Sequence, residues 1–336
     1  MDSLNLIDKA QRIVIIPSSP VDGDAVGSSL ALYLILKKLG KKPEINYSFD
    51  RFSSFKFLPG ADAIKVIDLF KIDFSKYDLA IFLDGGDLSQ FSDGKIHREP
   101  FILPTNIPVI NIDHHPSNSR WAKNLVWDPS KSSVGEMIYE IFEGNVEIDK
   151  DIATNLFTAI STDTGHFRYT NTSKRVLEIA GQLLNYGVDL GNLMIRLYQT
   201  DSYKVVQFAG YLTSKIQINA KYKYSWFTVS IEEWQKDDLS LEDLKNSVGR
   251  TRDGNLRAID GVDFVFCMSE EQPGYIGGSI RSRNPGMFDL TILAKLLGGG
   301  GHREAAGFLI RDKTVVEAEK LVHETIQSHY EEVKIK

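Results

Sequence analysis

One cysteine in 336 residues, Cys267, excludes a disulfide framework and any cysteine-rich zinc site within the chain. It sits in the largely apolar run 262–268 and reads as core. No apolar run is long enough to span a bilayer. The start, Met1-Asp2-Ser3-Leu4-Asn5, has no basic-then-apolar leader pattern. A soluble, cytoplasmic protein with no membrane partner is therefore expected. Positive charge is also in short supply: 39 Lys and Arg face 45 Asp and Glu, for a net charge of -6. Such a balance argues against a protein that coats long nucleic acid, which needs a basic face. It leaves room for a short anionic substrate, which needs only a few local cations. Internal repeats and low-complexity segments are absent.

What the chain does have is carboxylates behind apolar runs. Residues 13–16 (Ile-Val-Ile-Ile) precede Asp22-Gly23-Asp24, and residues 79–83 (Leu-Ala-Ile-Phe-Leu) run into Asp84-Gly85-Gly86-Asp87. Pro108-Val109-Ile110-Asn111-Ile112 runs into Asp113-His114-His115-Pro116, and Thr158-Ala159-Ile160 into Ser161-Thr162-Asp163. One Asp-His-His after a strand is as readily a polar loop. Four such junctions are not, because ligands of open α/β sheets sit outside the carboxyl ends of the strands. Pro116 stops further pairing, having no N–H to give.

Strands are expected at 13–16, 42–47, 63–69, 78–83 and 109–112. Helices are expected at 30–39 (stopped by Gly40), 133–142, 152–160, 175–186 (closed by Gly187) and 203–216. The alternation predicts an α/β fold with a doubly wound, mostly parallel sheet. Beyond Lys221 the strands cluster, at 224–231, 261–268 and 275–283, with helices at 290–297 and 315–326; a smaller α+β domain follows. The expected division is a domain over 1–188, a helical linker over 189–220 and a second domain over 221–336.

Asp22, Asp24, Asp84, His114 and Asp163 make a mixed oxygen and nitrogen donor set. Close carboxylates repel unless cations sit between them, and this mixture suits manganese, iron or zinc better than calcium. Two metals can clamp the attacking and leaving oxygens of a phosphoryl displacement and generate hydroxide at neutral pH. Asp84, on a central strand, is the expected bridge. Adjacent residues on an extended chain face opposite ways, so His115 is assigned a different task from His114. It orients substrate or protonates the leaving group, or else merely supports the structure.

In the second half, Gly298-Gly299-Gly300-Gly301-His302-Arg303 carries glycines that let backbone N–H groups approach an anion, followed by two cationic donors. A flexible hinge is the alternative. Arg281, in Arg281-Ser282-Arg283, adds a guanidinium suited to phosphate. The expectation is that the first domain carries metals and chemistry while the second grips the anionic end of a substrate lying between them.

These motifs together resemble the DHH phosphoesterase superfamily, in its nanoRNase and pAp phosphatase branch. Asp22-Gly23-Asp24-Ala25-Val26-Gly27-Ser28 looks like the first motif and Asp84 heads the second. Asp113-His114-His115-Pro116 is the third, Asp163 lies in the fourth, and residues 298–307 look like the signature of the associated C-terminal domain. The resemblance implies a manganese-dependent phosphoesterase that uses two ions, releases mononucleotides from very short RNA and often dephosphorylates pAp. It implies metal ligation by Asp22, Asp24, Asp84, His114 and Asp163, with His115 at the scissile phosphate. It implies that Arg281 and His302 hold the substrate's terminal phosphate or base, and Gly300, Gly301 and Arg303 complete the expected substrate-binding set. A homodimer is one expected assembly. The family usually has histidine four residues before the first aspartate; here stands Ser18, which predicts one weakened metal site. Cyclic or linear dinucleotide hydrolysis is an alternative activity, and a nucleotide-binding protein with an impaired metal site is a non-enzymatic one. Pyrophosphatase activity is disfavoured by the glycine-rich motif.

Overall fold

The computed structural model describes residues 3–19, 21–48, 52–92, 99–284, 286–301 and 303–335. The chain divides into two compact units, residues 1–199 and 200–336.

In the first unit α1 (Ser3–Lys9) leads into β1 (Arg12–Pro17), α2 (Gly23–Lys38), β2 (Lys42–Tyr47), β3 (Ile64–Val66), β4 (Leu79–Leu83), β5 (Val109–Asp113) and β6 (Asn124–Trp127). Four helices follow: α3 (Val134–Phe142), α4 (Lys150–Asp163), α5 (Lys174–Asn185) and α6 (Leu190–Tyr198). The strands form one parallel sheet in the order β3-β2-β1-β4-β5-β6. β4 and β5 are buried at every residue, as central strands of a parallel sheet covered on both faces are. Strand order reverses at β1 and β4, the switch point where such sheets place their ligands.

One face of the sheet packs Ile13, Ile15, Ile81 and Ile110 under α2, α3, α4 and α5. The other buries Val14, Ile16, Ala80 and Phe82 beneath Leu69 and Phe91, which lie in short 3₁₀ turns (Leu69–Lys71 and Leu88–Phe91), with Trp121 packed against them. α2 is buried nearly all round, which fits its apolar sequence. At Gly27 its backbone comes close to that of α4: a Cβ there would stand 2.5 Å from the Asn155 carbonyl oxygen and 2.9 Å from the Ala159 nitrogen.

Two expectations change here. The strand expected at 63–69 is only Ile64–Val66, because Asp68 caps a 3₁₀ turn through the Phe70 N–H and ends it. β6 was not expected; its apolar stretch is only Leu125-Val126-Trp127, and its four residues are all half-buried.

The second unit comprises α7 (Tyr203–Ser214), β7 (Gln217–Asn219), β8 (Tyr224–Val229), α8 (Ile231–Gln235), α9 (Leu241–Gly254), β9 (Phe264–Gln272), β10 (Tyr275–Ser282), α10 (Thr291–Leu296), β11 (Gly300–Gly301), β12 (Ala305–Arg311) and α11 (Val315–His329). Its sheet runs β11-β12-β10-β9-β8-β7, antiparallel except between β8 and β9. Val322 and Ile326 of α11 and Leu293 of α10 cover one face. Phe208 and Leu212 of α7 and Leu244 of α9 belong to a separate core cluster with Phe227 and Val265. α9 carries few apolar residues and β12 opens on Ala305-Ala306-Gly307, which is why neither stood out from composition. Among the described residues no helix is long and apolar enough to cross a membrane.

Candidate active site

The expected ligands come from the ends of β1, β4 and β5 and from the last residue of α4. Asp84 follows β4 at φ 61°, a left-handed conformation that aspartate tolerates better than most residues. Its N–H stays bonded to the Ile112 carbonyl at 3.0 Å, and its side chain is buried. Asp24, in the first turn of α2, is buried and accepts from the Val134 N–H at 2.6 Å and the Gly135 N–H at 2.9 Å. The open N-terminus of α3 thus fixes this carboxylate.

His114 is the shared centre. Its Nδ1 lies 3.2 Å from the Lys131 carbonyl oxygen. A carbonyl only accepts, so Nδ1 carries the proton. Nε2 faces Asp163 Oδ2 at 3.4 Å, Asp84 Oδ1 at 3.6 Å and Asp24 Oδ2 at 3.9 Å. Among the described residues Asp84 Oδ1 is buried without a hydrogen-bond partner. Burial first, then mutual repulsion, drives the Asp24 and Asp84 carboxyls well above their usual range; burial and the charge of Asp22 do the same to Asp163. A proton on Nε2 would answer one of the three charges. A divalent cation would answer two and engage nitrogen and oxygens together.

Two compact donor sets are present, Asp84 with His114 and His115, and Asp24 with His114 and Asp163, each with its donor atoms within 4.8 Å. Ligand atoms about 3 Å apart surround a small divalent ion at about 2.1 Å, so these residues fit a metal. The sets share His114, and Asp84 lies beside that shared nitrogen. Asp22 lies outside both sets. It caps α2, accepting from the Ala25 N–H at 2.9 Å, and burial raises its carboxyl. Its charge still bears on Asp24, Asp84 and Asp163.

His115 departs from the expected opposite orientation. β5 ends at Asp113, so strand alternation ends there too. The two imidazoles lie 4.7 Å apart, and His115 Nδ1 is 3.7 Å from Asp84 Oδ1. His115 Nδ1 bonds Asp113 Oδ1 at 2.7 Å, and Asn118 Nδ2 donates to Asp113 Oδ2 at 2.6 Å. Asn118 also donates to Asn111 Oδ1 at 3.0 Å. Burial works to lower the His115 pKa, but the bond and charge of Asp113, with Asp22 and Asp24, raise it on balance. Sequence reasoning included Asp113 in the motif without giving it this task, and Asn118 carried no signal at all.

In the second unit, Gly300 and Gly301 form β11 and pair with Gly307 and Ala306. A Cβ on Gly299 would stand 2.0 Å from the Gly307 oxygen. The glycine run is therefore a hairpin closed at backbone distance, which answers the hinge alternative. His302 lies outside the described residues. Arg303 Nε is 3.5 Å from Asp289. Arg281 pairs in register with Ala305, and its Nη1 donates to the Ile280 and Ala306 carbonyls at 3.0 and 3.1 Å. The sequence reading missed Arg252 and Arg257. Burial raises the Asp253 carboxyl, yet its bond to Arg252 and the charges of Arg252, Arg281 and Arg257 lower it overall.

Residues 12–160 match the model of the DHH family, N-terminal domain, and residues 219–328 that of the DHHA1 domain. The chain is 34% identical over 309 residues to a protein of Thermus thermophilus called bifunctional oligoribonuclease and PAP phosphatase NrnA, covering 91% of this chain and 86% of that one. It is 28% identical over 293 residues to the Bacillus subtilis protein of the same name, covering 85% of each. Among solved structures, an exopolyphosphatase-related protein from Bacteroides fragilis superposes with a TM-score of 0.87 at 25% identity, over 98% of this chain and 95% of that one.

Proposed function

The chain belongs to the DHH family of phosphoesterases, and from that premise we propose that it hydrolyses very short oligoribonucleotides to mononucleotides and pAp to AMP, with two manganese ions. The observation that carries this reading is His114. Its Nδ1 is committed to the Lys131 carbonyl while its Nε2 faces three carboxylates, one with an unpartnered buried oxygen.

Asp24, Asp84, His114 and Asp163 would hold the ions, with Asp22 adding charge or a ligand at the rim. Bound divalent ions supply Lewis-acid polarisation of the phosphoryl oxygens and a nucleophile at neutral pH. Asp113 anchors Nδ1 of His115, leaving Nε2 to carry the proton delivered to the leaving oxygen. Arg281, Arg303 and His302, with the backbone of Gly300 and Gly301, are assigned to the substrate's terminal phosphate and base. The names of the relatives support both activities.

The direct test is manganese-dependent turnover of an RNA dinucleotide, a short RNA oligomer, pAp and pyrophosphate, with Asp163→Ala as control. Mononucleotide release and pAp dephosphorylation are expected from the wild type and lost in the variant. Turnover of pyrophosphate alone, or of nothing, overturns the reading.

Ser18 is buried beyond the end of β1, its N–H bonded to the Leu83 carbonyl at 3.0 Å. A hydroxyl is a poorer ligand than imidazole, so one ion is expected to bind more weakly than the other. Ser18→His should tighten that weaker site by about tenfold or more, within the range that ligand support commonly commands. Calorimetric titration with manganese checks this, and an unchanged weak site would count against it.

A further inference from the structure

Asp24, His114 and Asp163 lie far apart in sequence, yet one short segment engages two of them directly. The Lys131 carbonyl accepts from His114 Nδ1 at 3.2 Å. The Val134 and Gly135 N–H groups bind Asp24 at 2.6 and 2.9 Å. Between them, the Ser132 carbonyl accepts from Asn171 Nδ2 at 3.1 Å, and the same nitrogen donates to the Asp163 carbonyl at 3.1 Å. Both partners of Asn171 are carbonyl oxygens. Only the NH₂ end of the amide can face them, which fixes its orientation.

The segment is itself secured. The Ser132 N–H donates to Glu136 Oε2 at 2.7 Å, and Lys131 Nζ pairs with Glu140 at 2.5 Å and Glu136 at 3.5 Å. Asn171 reaches back to it after a turn made by Gly165, His166 and Phe167, at φ 56°, 62° and 61°. Gly165 takes this conformation freely, but for His166 and Phe167 it is costly. The turn brings Asn171 back onto the carbonyl end of α4. The Asn171 Oδ1 is buried with no partner among the described residues, so the two donated bonds are what the amide provides there.

We propose that Asn171 is a positioning residue for the metal centre: its side-chain amide ties the segment that orients His114 and Asp24 to the helix end that carries Asp163. This rests on the metal-centre reading above. Without the tie, each ligand keeps its own support, but the Asp163 end is released from the other two. The expected defect is weaker ion binding with the chemistry intact once the ions are bound.

The test is calorimetric titration of metal-free wild type, Asn171→Ala and Thr172→Val with manganese, alongside kcat at saturating manganese. Thr172 is the neighbouring residue with a buried, unpartnered hydroxyl and no tie to a ligand. Asn171→Ala should raise the manganese Kd by about 10–100-fold, as loss of a group supporting metal ligands does. Its kcat should return to within about threefold of wild type in excess manganese, and Thr172→Val should bind as wild type does. A purely structural role would lower the folded fraction and leave the Kd of the folded protein unmoved. If Asn171→Ala does not fold, Asn171→Ser, too short to span both carbonyls, should show the same direction of change. Wild-type affinity in a folded Asn171 variant overturns the inference alone. Wild-type protein that binds no divalent ion overturns the metal-centre reading, and this inference with it.

Discussion

Asp84→Asn is expected to lose more than about a hundredfold in kcat/KM while making the metal-free protein more resistant to heat near neutral pH. The first effect follows from removing a charge that faces His114 Nε2 at 3.6 Å. A hundredfold is the upper end for groups that only orient a ligand, and a ligand itself should exceed it. The second effect follows from where the carboxyl titrates. Burial, then Asp24, Asp22, Asp163 and Asp113, raise its folded pKa well above the usual carboxylate value. A carboxyl with a raised folded pKa binds its proton more tightly folded than unfolded. The metal-free wild type therefore loses stability as pH rises above about 4, the unfolded value, until the folded carboxyl has itself ionised. Asparagine has no charge to bury, and it accepts the φ of 61° that alanine would resist. Calorimetry in a chelator between pH 4 and 8 should show the melting temperatures of the two proteins diverging as pH rises, with the variant higher. Saturating manganese should reverse the order. A variant that melts below wild type throughout the chelated series would refute this account.

His115→Ala should cost about 10²–10⁴ in kcat, the range of a positioned general acid, with manganese affinity within about threefold of wild type. The contrast with Asp84 is the content of the prediction. Asp113→Asn separates the parts further. The Asp113 carboxylate accepts the Nδ1 bond at 2.7 Å and raises the His115 pKa. A raised imidazole pKa keeps the proton to higher pH, and activity that needs it falls as pH passes that value. Removing the charge lowers the pKa, so the basic limb of the rate profile should move to lower pH. An unshifted basic limb, or a His115→Ala protein that no longer binds manganese, would assign His115 to ligation instead.

Much of this site can be read from the chain because parallel strands announce themselves. β4 is a continuous apolar run, β1 is one after Arg12, β5 is interrupted only by Asn111 before Asp113, and each junction with an acidic residue marks a carboxyl end. The hairpin of Gly300 and Gly301 was legible as unusual but not as a hairpin. Its partner strand, Ala305–Arg311, opens on Ala-Ala-Gly and has Ile310 as its one β-branched residue. Asn118 and Asn171 were invisible for a different reason. A side-chain amide acts through carbonyls and carboxylates that the fold brings to it, and nothing at its own position records which ones. Asp22 shows the converse, since a motif residue at the expected place spends one oxygen capping α2.

The contact of α2 with α4 has a consequence for how the chain can change over generations. Asp24 rides on one helix and Asp163 on the other, and where Gly27 meets the Asn155 and Ala159 backbones the one side chain beside them is the Ala159 methyl. At that point the spacing of the two helices is set by main chain against main chain, and nearer the carboxylates by Gly23 against the Thr162 side chain. Aliphatic residues elsewhere around the helices can exchange volume and repack without altering that spacing. The glycine, whose Cβ would meet backbone at 2.5 Å, has no such latitude.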